Sequence, residues 1–183
     1  DLYDIDFRLP LKCNSHTKFD FENSLYKIID FNYSNTSENT FNYNYVQHNH
    51  FDFYHVNGRS DDFTAVFGYT NLEQEKVNIE AFNFEKRTQR LIKNVQSVDY
   101  EALTSKPFNL FIFGHSCSPA DKDVFEPLLT SNNLNIVVVY CYSEKDKLSI
   151  YKNLCEILGY KLMDHLTRQT EKLSKRLFWA IRK

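Results

Sequence analysis

The chain has 183 residues, 42% of them hydrophobic and 16% aromatic, which is enough for one sizeable core and excludes global disorder. Lys plus Arg number 22 and Asp plus Glu 24, so the net charge of −2 lacks the basic surplus of a general nucleic-acid binder. No apolar run approaches the roughly 18 residues of a membrane helix, so no membrane association is expected.

The four cysteines, Cys13, Cys117, Cys141 and Cys155, form no CxxC pair. They read as reduced thiols in a cytoplasmic protein, not as a zinc ribbon or a disulfide scaffold. The opening Asp1-Leu-Tyr-Asp4 carries no initiator methionine, and a native N-terminal segment is expected to be missing. Residues 1–183 are read as a single α/β domain.

Residues 1–20 are polar and without pattern. Phe21 to Ile29 suggests a short helix running into a strand around Lys27 to Phe31. Asn32 to Asn49, rich in Asn, Ser, Thr and Tyr, begins as a loop. Residues 51–57 and 63–69 read as two short strands, joined by a hairpin-like turn at Asn57-Gly-Arg-Ser-Asp-Asp62. Leu72 to Ser105 is charged and helical, with a broken apolar stripe of Val77, Ala81, Phe84, Leu91, Val95 and Val98. Pro107 ends it.

Phe108 to Phe113 is nearly continuous in its apolarity, the pattern of a parallel strand covered on both faces. Ser118 is a fitting N-cap and Pro119 a fitting first helical residue for the next helix, with Asp121 completing the capping pattern. Val124, Phe125, Leu128 and Leu129 supply its buried face, and Pro127 shortens or kinks it. Leu134 to Tyr142 is a second buried strand. Ser143-Glu-Lys-Asp146 caps a further helix, lined by Leu148, Tyr151, Leu154 and Leu158 and stopped by Gly159. From His165 onward, Leu166, Leu173, Leu177, Phe178 and Ile181 suggest the buried side of a last helix. Residues 161–183 hold seven Lys or Arg and two Asp or Glu, a local +5 that reads as a solvated outer face. The alternation of strand and helix predicts an α/β fold, a Rossmann-like and mainly parallel sheet flanked by helices.

Glycine is scarce, at four residues, and Gly58, Gly68 and Gly114 all fall at predicted strand ends. There a chain turns sharply or a ligand approaches the backbone. The sharpest local feature is Gly114-His-Ser-Cys-Ser118, between a buried strand and a capped helix. Ligands of open α/β sheets bind at such carboxyl ends, and a helix N-terminus offers free N–H groups to phosphate. One reading is a nucleophile elbow, with Ser116 attacking an ester and Asp146 or Asp164 with His165 as partners. The motif's last glycine is Ser118 in this chain. A second reading is a polar pocket in which His115 and Ser116 contact a nucleotide. In the plainest reading, His115 and Ser116 satisfy backbone groups and Asp121 caps the helix. His48, His50 and His55 invite a zinc site, but no further ligand completes a tetrahedral set, and no metal is expected.

Four segments together resemble the bacteriophage abortive infection AbiH family. Ile28-Ile-Asp-Phe-Asn-Tyr-Ser-Asn-Thr36 resembles that family's strand followed by FNYTNT. His55-Val-Asn-Gly58 falls where the family has a strand ending in His-Gly, and Val66-Phe-Gly-Tyr69 resembles its FGY strand. Leu110-Phe-Ile-Phe-Gly-His-Ser116, with Asp121 five residues on, resembles its IFGHSL…D signature. The resemblance runs from about Tyr26 to Tyr160. It implies resistance to bacteriophage, and a layout similar to sirtuin-type domains that bind a nicotinamide dinucleotide. By that resemblance Asn32 and Tyr33 line a nucleotide pocket, with Gly58, Gly68, Gly114, His115 and Ser116 on its walls. In an NAD hydrolase Asn32 would orient a water and a histidine, His55 or His115, would act as base.

Three departures stand out. The family's N-terminal GNGFD segment is absent, Asn57 stands before Gly58 where a histidine is usual, and Cys117 replaces a leucine. The cofactor class expected is NAD or another nucleotide. The competing functions are a non-catalytic sensor that recognises a phage protein or nucleic acid, its aromatic patch drawn from Phe41, Tyr43 and Tyr45, and a serine hydrolase built on Ser116. An oligomer is compatible with each.

Overall fold

The computed structural model describes residues 26–39, 51–69, 82–168 and 177–181. The chain divides into two compact units, Phe19–Asp99 and Tyr100–Lys183 with Asp1–Lys18. Among the described residues no helix is long and apolar enough to cross a membrane.

In the first unit, β1 (Tyr26–Asp30) and β2 (Phe51–His55) lie parallel, in register from Tyr26 opposite Phe51 to Asp30 opposite His55. The strand expected around Lys27 to Phe31 is thus β1, which begins at Tyr26, inside the stretch expected to close a short helix. The adjacent β-branched Ile28 and Ile29 favour the pleated backbone over a helical turn. A helical turn at 36–39 follows β1. Parallel pairing places the carboxyl ends of both strands, Asp30 and His55, side by side.

The hairpin expected after Asn57 does not form. The described partner of β2 is β1, and 63–69 makes only an isolated parallel bridge, Tyr69 with Glu85. Local polar side chains explain the change. The Asp62 carboxylate accepts from the backbone N–H and the hydroxyl of Thr64, at 3.0 and 2.6 Å. Such bonds compete with a ladder. Phe63 adopts the left-handed region with φ 62°, which breaks any strand. The segment is instead drawn in by Val66 N–H to Asn57 O (2.8 Å) and Ala65 N–H to Arg59 O (3.0 Å). Gly58 is required at this turn. Its φ is +65°, and a Cβ there would sit 2.2 Å from the Thr64 carbonyl oxygen.

The long charged helix is broken. Its described part in this unit is a 3₁₀ turn at Phe82–Phe84 followed by α1 (Lys86–Ile92). Asn94, at φ 51°, is the left-handed residue just past the helix end.

In the second unit, a single helical turn, α2 (Tyr100–Leu103), precedes β3 (Phe108–Phe113), α3 (Lys122–Leu129), β4 (Leu134–Cys141), α4 (Glu144–Leu158), α5 (Tyr160–Thr167) and β5 (Leu177–Ile181). The sheet order is β3-β4-β5 and every pairing is parallel. This is the alternating, helix-flanked α/β arrangement expected of a Rossmann-like fold. Val137, Val138 and Val139 of β4 are wholly buried, as are Val124, Leu154, Met163 and Leu177 to within 1%. The Ser143 hydroxyl accepts from Asp146 N–H at 3.2 Å, as the capping pattern predicts.

The C-terminal stripe is a further correction. The helix expected from His165 ends at Thr167, and Leu177-Phe-Trp-Ala-Ile181 is a strand on the edge of β4. Five consecutive apolar residues suit a strand as well as a helix face, and periodicity alone does not separate them. The unpaired edge of β4 decides it, because backbone groups there need partners.

Candidate functional site

In the first unit the strand ends carry a polar cluster around Asp30, which is 4% exposed at the last position of β1. One oxygen of its carboxylate, Oδ1, accepts from Asn32 twice, from the backbone N–H at 2.9 Å and from the side-chain amide at 2.8 Å. The Ser37 hydroxyl donates to Oδ2. His55, at the end of β2, is 8% exposed. Its Nδ1 lies 3.7 Å from Asp30 Oδ2, beyond hydrogen-bond length, and makes no hydrogen bond. Its Nε2 lies 3.4 Å from Glu38 Oε2. The imidazole is thus flanked by a buried carboxylate and a half-buried one.

Because a carboxylate only accepts, the amide nitrogen of Asn32 must face Asp30 and the amide oxygen must face away. Asn32 is an exposed residue.

The surroundings are held by polar contacts. Asn57 donates to Phe31 O at 3.3 Å and accepts from Arg90 at 3.4 Å. Arg90 Nε also donates to Val56 O at 2.7 Å. Arg59 lies 3.7 Å from Glu38 and forks onto Asp61 through Nε and Nη2 at 3.0 and 2.7 Å. That fork holds the Asp61 carboxyl down at about 2. Tyr33 donates its hydroxyl to Val66 O at 3.0 Å, and its ring stacks on Phe67 at 4.8 Å between centroids.

The second unit carries the Gly114-His115-Ser116 turn after β3. His115 Nδ1 accepts from Cys117 N–H at 2.9 Å, which places the imidazole proton on Nε2. That nitrogen lies 3.6 Å from Asp121 Oδ2, and the ring lies 5.0 Å from that of Phe125. Both ring nitrogens are therefore turned to the protein's own groups. Asp121, expected only to cap the helix, makes no side-chain capping bond; its carboxylate faces His115. The Ser118 hydroxyl does the capping, accepting from Ala120 N–H at 3.3 Å.

Ser116 is exposed, and its carbonyl accepts from Asn153 at 2.9 Å. Among the described residues no histidine hydrogen-bonds its hydroxyl, and His165 is exposed on α5. The left-handed positions of this turn are Gly114 (φ 60°) and Cys117 (φ 50°), on either side of the serine. Cys117 is fully buried, and burial pushes its thiol up to about 12, which excludes a ready thiolate.

The sequence candidates thus fall into two groups. Asn32, Tyr33, His55, Gly58 and Gly68 belong to the first unit, where Asn32 and His55 meet at Asp30. Gly114, His115 and Ser116 belong to the second. Asp30, Glu38 and Asp121 escaped as site residues. Asp30 did carry a signal, an acid closing the apolar strand end Ile28-Ile29, whereas Glu38 carried none. His48, His50, Phe41, Tyr43 and Tyr45 lie outside the described residues. Among the described residues no group of three or more His, Cys, Asp or Glu is arranged to hold a metal ion.

No curated protein and no solved structure matches the chain. A family model described as bacteriophage abortive infection AbiH matches residues 7–142.

Proposed function

The chain belongs to the bacteriophage abortive infection AbiH family, and from that premise we propose that it acts in phage defence by hydrolysing a nucleotide of the NAD class at the β1–β2 strand ends. The observation that carries this reading is the meeting of Asn32 and His55, 23 positions apart in the chain, on the one buried carboxylate of Asp30. Ligands of parallel sheets bind at such carboxyl ends.

The chemistry asks little of the protein. Water attacks the anomeric carbon, the bond to the pyridinium nitrogen breaks, and nicotinamide leaves with that electron pair. One proton must be removed from the water. The outward amide oxygen of Asn32 accepts a hydrogen bond from the water and orients it. The Glu38–His55 pair takes the proton, with the Asp30 carboxylate facing the other side of the ring at 3.7 Å. His115 is left out of the step, because its acceptor nitrogen already takes the Cys117 N–H.

The test is nicotinamide release from NAD by the full chain, beside Asn32→Ala, His55→Ala and His115→Ala. Turnover lost in the first two and kept in the third supports the reading. Absence of turnover, together with no nucleotide binding at millimolar concentration, sinks it and leaves the sensor reading. One observation favours that second reading: Phe63 is 89% exposed at a left-handed position, a strained aromatic offered to a partner. The serine-hydrolase reading has no such support, and a fluorophosphonate that fails to label the unmutated protein would end it.

A further inference from the structure

We propose that the outer face of Phe67 stacks on the base of the nucleotide bound beside Asp30, Asn32 and His55, an inference that rests on the nucleotide reading above. Phe67 is 61% exposed. A single exposed phenylalanine is ordinary on a protein surface. Three further observations set this one apart.

The first is its inner face, which is covered by Tyr33 in a stack tilted by 28°. The second is its anchorage. The side-chain amide of Gln89 holds both backbone groups of Phe67, accepting from its N–H at 3.2 Å and donating to its carbonyl. Gly68, next in the chain, passes so close to the Phe84 carbonyl that a Cβ would lie 1.9 Å from its oxygen. The Tyr33 hydroxyl ties the preceding residue, Val66. The ring is thus fixed at its backbone and open at its face.

The third is position. Tyr33 follows Asn32 directly, and Val66 N–H donates to Asn57 O at 2.8 Å, so the stacked pair borders the polar strand ends within one unit. An open aromatic face beside hydrogen-bonding groups suits a ligand with a flat π-face joined to a polar part, as a nucleobase is joined to its ribose. Base–aromatic stacking is tolerant of base identity, because every base has such a face.

The test titrates adenosine monophosphate and ribose 5-phosphate, which lacks the base, against the full chain and against Phe67→Ala and Phe67→Trp. Phe67→Ala is expected to weaken nucleotide binding by about tenfold or more while ribose 5-phosphate binding and melting temperature stay unchanged. Phe67→Trp is expected to restore affinity. Its indole fluorescence should be quenched by the nucleotide and not by the sugar phosphate, above the background of Trp179. Equal nucleotide affinity in Phe67→Ala overturns the platform and leaves the nucleotide site standing. Equal losses for both ligands overturn it as well, by showing a structural role alone. If the unmutated protein binds neither ligand, the nucleotide reading itself fails and the platform goes with it.

Discussion

The two units hold a histidine at the same kind of place, the carboxyl end of a parallel strand, and use it differently. His115 accepts a backbone N–H on one ring nitrogen and turns the other to Asp121. His55 keeps one nitrogen without a hydrogen bond and faces two carboxylates, one of them half-buried. The first histidine completes a turn; the second is the one we propose moves a proton. The supports differ in the same sense. The three-stranded unit rests on buried aliphatics such as Val137 to Val139 and Leu154, whereas the two-stranded unit leans on side chains that reach backbone carbonyls, Arg90 to Val56 and Lys93 to Ala65 among them.

The contrast is easiest to break at the histidines. His55→Ala is expected to lower NAD turnover by about 10²- to 10⁴-fold, the usual worth of a positioned acid–base group, measured on protein shown to be folded. Equal activity would move the chemistry elsewhere. Leu154→Ala, at 1% exposure in α4, should cost about 2–5 kcal/mol, read from denaturant midpoints. His115→Ala removes the acceptor of the Cys117 N–H, and should cost about 1–3 kcal/mol of stability. A loss of turnover in a folded His115→Ala protein would erase the contrast.

The thiol of Cys117 sharpens the picture of the second turn. It should resist iodoacetamide at pH 8 in the native protein and react once the chain is unfolded. Its raised folded pKa gives a stabilising contribution that is complete below the ordinary thiol value and lost as the pH rises toward 12. The smallest effect belongs to the exposed Arg59–Asp61 fork. Asp61 is lowered to about 2, so its contribution is complete above the ordinary carboxyl value and fades as the pH falls from about 4 to 2. Salt screens it. Asp61→Asn should flatten acid unfolding curves in that window alone.

Much of the second unit was legible because its signals are local. A continuous apolar run, a serine cap and a stopping glycine each act within a few residues, and β3, β4, α3 and α4 follow from them. The misreadings differ in kind. At 63–69 the local bonds of Asp62 to Thr64 and the left-handed Phe63 oppose a strand, and an alternating pattern does not show them. Whether 177–181 is strand or helix depends on the free edge of β4, which is not written in the segment itself. The site divides in the same way. Asn32 and His55 were visible by resemblance, but Asp30 gains its meaning from parallel register, which sets it opposite His55 across two strands.

The hold on Phe67 has a consequence for how that segment lets go. A strand ladder frays rung by rung from its end, with a graded series of partly open forms. Here one glutamine amide makes both bonds, so a single rotation of the Gln89 side chain removes them together. At Phe67 itself the chain is therefore held by both bonds or by neither, while the Tyr33 hydroxyl keeps its separate hold on Val66.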